Sequence, residues 1–256
     1  MTAALTASGL VTHRMQAAFD PLLAHFGPQA AECAAYAAEQ QAAAAKALAA
    51  ILAPVLAQGE LGGMGRYFPE LNASFNRDQR LGMALQTGNR QSWQALLERR
   101  GWTERQLEAL LHSLNAEEWL AVQKIWDYFS GWRTPLAVLA LRLYGQAPDW
   151  PPPCSFKVAT RTATGDRLEV RLHGGDYPLK VNTALLDSLD GVYAESNALI
   201  YELAWREWLI DSHRLLSLKG LADYYGQPQL AAFKQQVRQV MAGDAGLEAA
   251  HEAPSS

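Results

Sequence analysis

The residues best suited to acid–base chemistry lie close together near position 210. Glu207 and Asp211 are four residues apart, a spacing that places two carboxylates on one face of a helix. Such a pair can act as acid and base in glycoside hydrolysis. Arg206 and Arg214 lie nearby, however, and their positive charges would neutralise the carboxylates as a structural network. The structural network is favoured, and a hydrolase remains a minor hypothesis.

The adjacent residues Asp211, Ser212 and His213 are the three residue types of a catalytic triad. Consecutive positions on a helix point in different directions, so these side chains cannot form the hydrogen-bonded series of nucleophile, base and orienting acid that a triad needs. We therefore interpret the match as accidental.

The usual motifs for metal or phosphate binding are missing from the sequence. His112 and His173 are isolated, and neither a His-Glu-x-x-His motif nor paired cysteines are present. Residues 58–75 are rich in glycine but lack both glycine patterns of phosphate-binding loops. Cys33 and Cys154 are too widely separated to suggest a disulfide framework, which fits a reducing compartment. We predict no catalytic residue, no cofactor and no metal.

The most suggestive polar segment is the turn at residues 174–178, Gly-Gly-Asp-Tyr-Pro. Its glycines permit close backbone approach, Asp176 and Tyr177 offer an acceptor and an amphipathic ring, and the preceding His173 can titrate near neutral pH. A recognition loop is one interpretation. A turn that folds an edge strand over a helix explains the same residues and is favoured.

A second group interleaves basic and aromatic residues. Its members are Lys124, Arg133 and Arg142 with Trp126, Tyr128 and Trp132. Single-stranded nucleic acid could stack on such rings, but their helical spacing places most of them in a core. The predicted interaction residues are therefore His173, Asp176, Tyr177, Trp132 and Arg133.

The elements that position these groups are organised around residues 115–144. Asn115 and Glu118 have the spacing of a capping box, which predicts a helix start. The next large apolar residues share one helical face: Trp119, Val122, Trp126 and Phe129. Gly131 follows the last of them, and Pro135 stands where a second helix can begin.

Helix caps and apolar periodicity predict a mainly α fold, a multi-helix domain with a small antiparallel β-hairpin or three-stranded insertion around residues 155–181. Alternation at 156–162 and 168–172 predicts the hairpin, and 174–181 would add an edge strand. The predicted segments are an alanine-rich helical hairpin at 1–57, a Gly-rich connector at 58–75, a central helical module at 76–145, a Pro-rich linker with the β-hairpin at 146–181, C-terminal helices packing on the central module at 182–243, and a disordered tail at 244–256.

Composition and charge argue against a generic duplex-DNA binder and against a membrane-spanning helix. The 256 residues are 49% apolar, enough for a sizeable core, and the net charge is −4. That charge argues against a generic duplex-DNA binder but leaves room for a local basic patch. The alanine tract at 30–57 contains charged residues and alanine is weakly apolar, so we expect a soluble helix and no membrane span. We see no secretion signal and expect a cytoplasmic protein.

Several spaced motifs resemble one region of the very large polyvalent proteins of phages, plasmids and integrative conjugative elements. They are residues 80–91 with 101–107, residues 114–126 continuing to 143–148, residues 202–216, and the Gly-Gly-x-Tyr-Pro turn. The resemblance covers roughly residues 76–243. It departs at Asp176, where an aromatic residue is usual, and at 181–195, where the link is shorter. The N-terminal helical segment has no counterpart in that region.

That region lies beside enzymatic domains and has no assigned catalytic role, so the resemblance implies a small stand-alone relative without active-site residues. We predict a non-enzymatic protein that inhibits a host defence system by binding a protein or ribonucleoprotein. The leading candidate for its partner is a subunit of a CRISPR effector complex. A structural or DNA-transfer accessory protein with nucleic-acid affinity is the alternative. A hydrolase using Glu207 and Asp211, or the turn after His173, is the third hypothesis.

Overall fold

The computed structural model describes residues 7–162, 164–179, 187–217 and 231–242, with backbone alone for 7–25 and 27. These residues are mainly helical and include two small antiparallel two-stranded sheets. The helices are α1 Ala7–Leu56, α2 Arg77–Leu85, α3 Arg90–Arg100, α4 Glu104–Leu111, α5 Ala116–Ser130, α6 Arg133–Tyr144 and α7 Asp190–Leu216. Residues 231–242 are also helical. The strands are β1 Arg66–Phe68, β2 Ala73–Phe75, β3 Phe156–Arg161 and β4 Arg167–Leu172. The predicted fold class is confirmed.

Helix starts follow local capping chemistry. The Asn115 side chain accepts a hydrogen bond from the Glu118 backbone N–H, and Glu118 Oε2 accepts one from Asn115 N at 2.8 Å. Asn76 and Thr103 form equivalent capping boxes before α2 and α4. Each box satisfies backbone donors that have no partner within the helix. The predicted start of α5 is thereby confirmed.

The predicted hairpin at 1–57 is wrong, because α1 is one helix from Ala7 to Leu56. Gly27 and Pro28, a pair of residues that locally favours the end of a helix, lie inside it. Proline removes one backbone donor and glycine costs about 1 kcal/mol relative to alanine, whereas the surrounding alanines strongly favour the helix. Phe26 and Ala30, on either side of the Gly-Pro pair, both lie in one apolar cluster, so tertiary packing supports the continuous helix.

The chain forms two compact units. The first contains the described residues of 7–40 and 200–242, and the second contains those of 41–199. The first unit is built on an aromatic and aliphatic cluster: Phe26, Ala30, Trp208, Leu209, Leu215, Phe233 and Val237. Within it the Trp208 indole N–H donates to Phe26 O at 3.2 Å. The divisions fall inside α1 and α7, whereas composition suggested boundaries at 57/58 and 181/182.

In the second unit α5 is the central element. Its Trp119, Trp126 and Phe129 side chains are fully buried, and Trp126 Nε1 donates to Leu85 O at 2.8 Å. The β3–β4 hairpin packs against α5. Phe156 of β3 is the contact point, since three indole rings meet it edge-on at 5.8 to 6.3 Å: Trp93, Trp119 and Trp126. The predicted β-hairpin is confirmed, and its strand register runs from Phe156↔Leu172 to Arg161↔Arg167.

Three other predictions for the chain have mixed outcomes. The connector at 58–75 contains an unforeseen hairpin, β1–β2, whose Phe75 packs edge-on against Trp102 at 5.6 Å. The third strand is not formed at 174–179, and residues 180–181 lie outside the described residues. The predicted tail at 244–256 also lies outside them.

Candidate functional site

Three separate backbone segments meet at the carbonyl of Gly88. The N–H groups of Cys154 and Gly175 both donate to this oxygen, each at 2.9 Å. A Cβ on Gly174 would lie 2.3 Å from Cys154 O, and one on Gly175 would lie 2.4 Å from Trp126 Cβ. Gly174 also has φ +68, a conformation that side chains disfavour. The two glycines therefore permit the turn at 174–178 to sit directly on α5.

Asp176 is buried at 1% exposure and is held by the first turn of α6. Arg133 binds both of its carboxylate oxygens: Nη2 lies 2.5 Å from Oδ1, and Nε donates to Oδ2. Ser130 Oγ donates to Oδ2 at 3.2 Å, and Arg133 Nη2 also donates to Pro151 O at 3.1 Å. A two-pronged guanidinium–carboxylate contact is the strong form of such a pair. It fastens α6, the Pro-rich segment and the turn together.

Tyr177 is also inside the molecule, with its ring 5.2 Å from that of Phe129. Burial raises the pKa of its phenol far above the usual range, and the negative charges of Glu195 and Asp78 raise it further. Glu195 is itself buried, and its Oε1 accepts a hydrogen bond from Leu179 N at 3.2 Å. The phenol is thus kept neutral and serves as packing.

The remaining predicted interaction residues differ in accessibility. His173 is exposed, and its backbone N–H donates to Gln123 Oε1 at 2.8 Å. Trp132 is half-buried against Tyr128, and the Arg133 guanidinium lies 5.9 Å from the Trp150 ring centre. The ion pair between Arg133 and Asp176 brings the turn and the start of α6 into contact. Asp176 and Tyr177, however, are inaccessible to a partner in this arrangement.

An accessible row of apolar side chains lies on α6. Val138, Leu141 and Tyr144 are 59%, 57% and 59% exposed, while Leu136 and Leu139 face the core. The exposed three recur every third residue and so form one row along the helix. We call this row the α6 face. Sequence analysis missed it because apolar residues surround the whole helix, and no polar stripe distinguishes the outer side.

Asp211, Ser212 and His213, the residues of the sequence-derived catalytic hypotheses near position 210, have different surroundings. Asp211 pairs with Arg214 at 3.1 Å, which is the neutralising arrangement expected for that carboxylate. Ser212 is fully buried while the neighbouring His213 is exposed, so these side chains point in different directions. Within the described residues, no three His, Cys, Asp or Glu side chains come together in a metal-binding group. Among the described helices, none combines the length and apolarity of a membrane span.

Comparison of the chain with protein-family models, with curated proteins and with solved structures gave no match. The likeness to one region of the large polyvalent proteins therefore rests on the sequence motifs alone.

Proposed function

We propose that this chain is a non-enzymatic inhibitor that binds a protein component of a host defence system through the α6 face. The observation that carries the proposal is the exposed row of Val138, Leu141 and Tyr144. Surface apolar residues are common when scattered, but a row of three on one helix offers a continuous contact. Helix faces of this kind commonly dock into apolar grooves of partner proteins.

The size of the α6 face suits an interaction anchor. Val138 and Tyr144 are six residues apart, which is roughly 9 Å along a helix. Burying a large apolar side chain fully is worth about 1.5–3 kcal/mol, and these side chains are already partly covered. Three of them would contribute on the order of 3–5 kcal/mol before the entropic cost of association. Tyrosine is also enriched among the residues that dominate binding energy.

The anchoring of α6 supports the same function. Arg133, in the first turn of the helix, is clamped on the buried Asp176, so the helix is held before any partner arrives. A surface that is already ordered loses less conformational entropy on binding. The buried polar turn therefore contributes indirectly, by fixing the orientation of the α6 face.

The partner class comes from the motif resemblance to proteins of mobile elements. Such elements must survive the defences of their host, and we propose a CRISPR effector complex as the target. Inhibition then results from occupation of a surface that the effector needs, without chemistry on a substrate.

A plasmid-challenge assay tests this function. Expression of the chain should raise the recovery of a targeted plasmid, and the chain should co-purify with an effector subunit. Leu141→Lys should reduce both signals about tenfold or more, because it places a charge in the contact. Leu120→Lys is the matched control, since Leu120 is a similarly exposed leucine on α5 (49%) and its substitution should change neither signal.

Two results would contradict the proposal. One is a chain that neither associates with any effector subunit nor protects the plasmid. The other is a Leu141→Lys variant that remains folded and fully active, which would remove the α6 face from the mechanism.

A further inference from the structure

The second unit also carries a strongly basic surface, whereas the α6 face is apolar. A cleft of about 700 Å³ opens between β1, the segment joining α4 to α5, and the β3–β4 hairpin. Arg66, Arg161 and Arg167 line it together with His112, and Glu169 is the one carboxylate among the described residues of the lining. We call it the arginine cleft. Its basic lining contrasts with the net charge of −4 for the whole chain.

The strand register concentrates this charge on the outer side of the hairpin. Facing pairs on that side are Lys157↔Arg171, Ala159↔Glu169 and Arg161↔Arg167. Four of these six residues are basic and one is acidic. Glu169 is already engaged, since its Oε1 lies 3.2 Å from Lys157 Nζ. The neighbouring Asp166 accepts a hydrogen bond from Thr164 Oγ1 at 2.9 Å.

Arg161 and Arg167 therefore oppose each other at the end of the hairpin, and among the described residues neither forms an ion pair with a carboxylate. Like charges directly across a strand pair destabilise it. An anion bound between the two guanidinium groups would remove that repulsion. The arrangement is costly for the hairpin alone and favourable for a hairpin that binds phosphate.

Other arginines extend the positive charge around the cleft. The Arg66 guanidinium is held over the Phe68 ring, 5.5 Å from its centre. Behind the cleft wall, Arg80 donates from Nη1 to Ser113 Oγ at 2.9 Å and to Ser113 O at 3.2 Å, and Ser113 lines the cleft. Burial lowers the pKa of Arg80, the negative charge of Glu118 raises it in part, and the positive charges of Arg66 and Arg77 lower it further. Arg66 in the lining and Arg80 behind Ser113 are thus two basic side chains at the cleft besides those of the hairpin.

We propose that the arginine cleft and the outer side of the β3–β4 hairpin bind the phosphodiester backbone of a single nucleic-acid strand. The basic row runs from the Arg161↔Arg167 pair to the Lys157↔Arg171 pair, which is roughly 13 Å at the rise of a strand. That length accommodates successive phosphates of a strand and exceeds a single phosphate group. A single strand also carries half the charge per unit length of a duplex, so it is repelled less by the acidic remainder of the chain.

Fluorescence anisotropy with a labelled single-stranded oligonucleotide of mixed sequence tests the proposal on the full chain. Affinity should fall as salt rises, because each neutralised phosphate releases counterions. The Arg161→Gln, Arg167→Gln double variant should weaken binding about tenfold or more and lower the log–log salt slope by about 1.4, from two lost contacts at roughly 0.7 each.

The matched control is the Arg105→Gln, Lys124→Gln double variant, which loses the same charge from exposed positions outside the cleft. It should retain affinity and slope within about twofold. Melting temperatures of both variants establish that they are folded. Equal loss in the two variants, or no loss in the Arg161 and Arg167 variant, would overturn the proposal.

Three competitors identify the source of the phosphate. An unlabelled single strand should displace the probe at lower concentration than duplex DNA or inorganic tripolyphosphate. Displacement by tripolyphosphate at equal phosphate concentration would overturn the assignment to a strand. The Leu141→Lys variant should bind the oligonucleotide normally, so failure of the α6 proposal and failure of this one give different results.

Discussion

The turn at 174–178 and the α6 face exchange the roles that their residue types suggest. The turn carries glycines, an aspartate and a tyrosine, yet all five of its residues are buried. The α6 face carries Val138, Leu141 and Tyr144, yet more than half of each side chain is exposed. Exposure is decided by what packs against a segment, so polarity alone identifies neither the recognition surface nor the core.

Physical reasons explain why the polar turn can be buried and the apolar α6 face can be exposed. Asp176 can be buried because Arg133 and Ser130 satisfy both carboxylate oxygens, and a buried charge is tolerated when it is paired and hydrogen-bonded. The α6 face can remain exposed because Leu136 and Leu139 already supply the packing of that helix. Substitutions in the turn should therefore affect stability, whereas substitutions on the α6 face should affect binding.

The largest expected effect is that of Gly175→Ala. The new Cβ would lie 2.4 Å from Trp126 Cβ, and the clash cannot be relieved without moving the turn away from α5. We expect a loss of about 3 kcal/mol or more in the free energy of unfolding, measured by urea denaturation. Gly62→Ala, where no atom lies within 4 Å of the new Cβ, is the control. Equal midpoints for the two variants would show that the turn does not need its glycine.

Asp176→Ala should have the next largest effect. It removes the carboxylate from Arg133, whose side chain is 32% exposed, so water compensates in part. We expect a loss of about 2 kcal/mol, below the range for fully buried pairs. In a double-mutant cycle with Arg133→Ala, the double variant should lose less stability than the sum of the single variants. Additive losses would contradict a direct coupling of the turn to α6.

Tyr177→Phe should change the response to alkaline pH. The folded chain raises the pKa of this phenol by burial and by the charges of Glu195 and Asp78. The unfolded chain ionises it near pH 10, so the unfolded state is favoured as pH rises further, by about 1.4 kcal/mol per pH unit. The unaltered chain should lose stability more steeply than Tyr177→Phe above about pH 10. Parallel unfolding curves between about pH 9 and 11 would contradict this difference.

The smallest expected effect is that of Leu141→Lys on stability. Its side chain is 57% exposed, and lysine is a good helix former near a helix C-terminus, where positive charge is favourable. The free energy of unfolding should change by no more than about 0.5 kcal/mol, as calorimetry can measure. A loss comparable to that of Asp176→Ala would mean that the α6 face is part of the core.

Local sequence signals predicted much of the second unit. The capping box at Asn115 and Glu118 marks the start of α5 within the few residues that form it. Alternation on either side of Gly165 likewise placed the β3–β4 hairpin. The β1–β2 hairpin was missed because its strands have three residues each, too few to show a period. The continuity of α1 was missed because the Gly27–Pro28 pair is locally a helix breaker.

For the candidate site, the sequence identified several of the residues but did not indicate which of them are exposed. Asp176 and Arg133 were both selected, and the structure pairs them with each other. The α6 face was not selected, because its apolar residues look like any buried helix. The Arg161↔Arg167 pair was not selected either, although each residue stood at an end of the predicted hairpin; their opposition appears once the register is known.

The sequence by itself determined where α5 begins, which segments form the β3–β4 hairpin, and the mainly α class, because caps, turns and periodicities depend on neighbours within a few positions. The tertiary structure decided which of these residues face water. Gly88, Cys154 and Gly175 are far apart along the chain yet share one carbonyl, and that meeting buries Asp176 while the outer side of α6 stays uncovered. Burial is a property of contacts between distant segments, so it is fixed only when the whole unit folds.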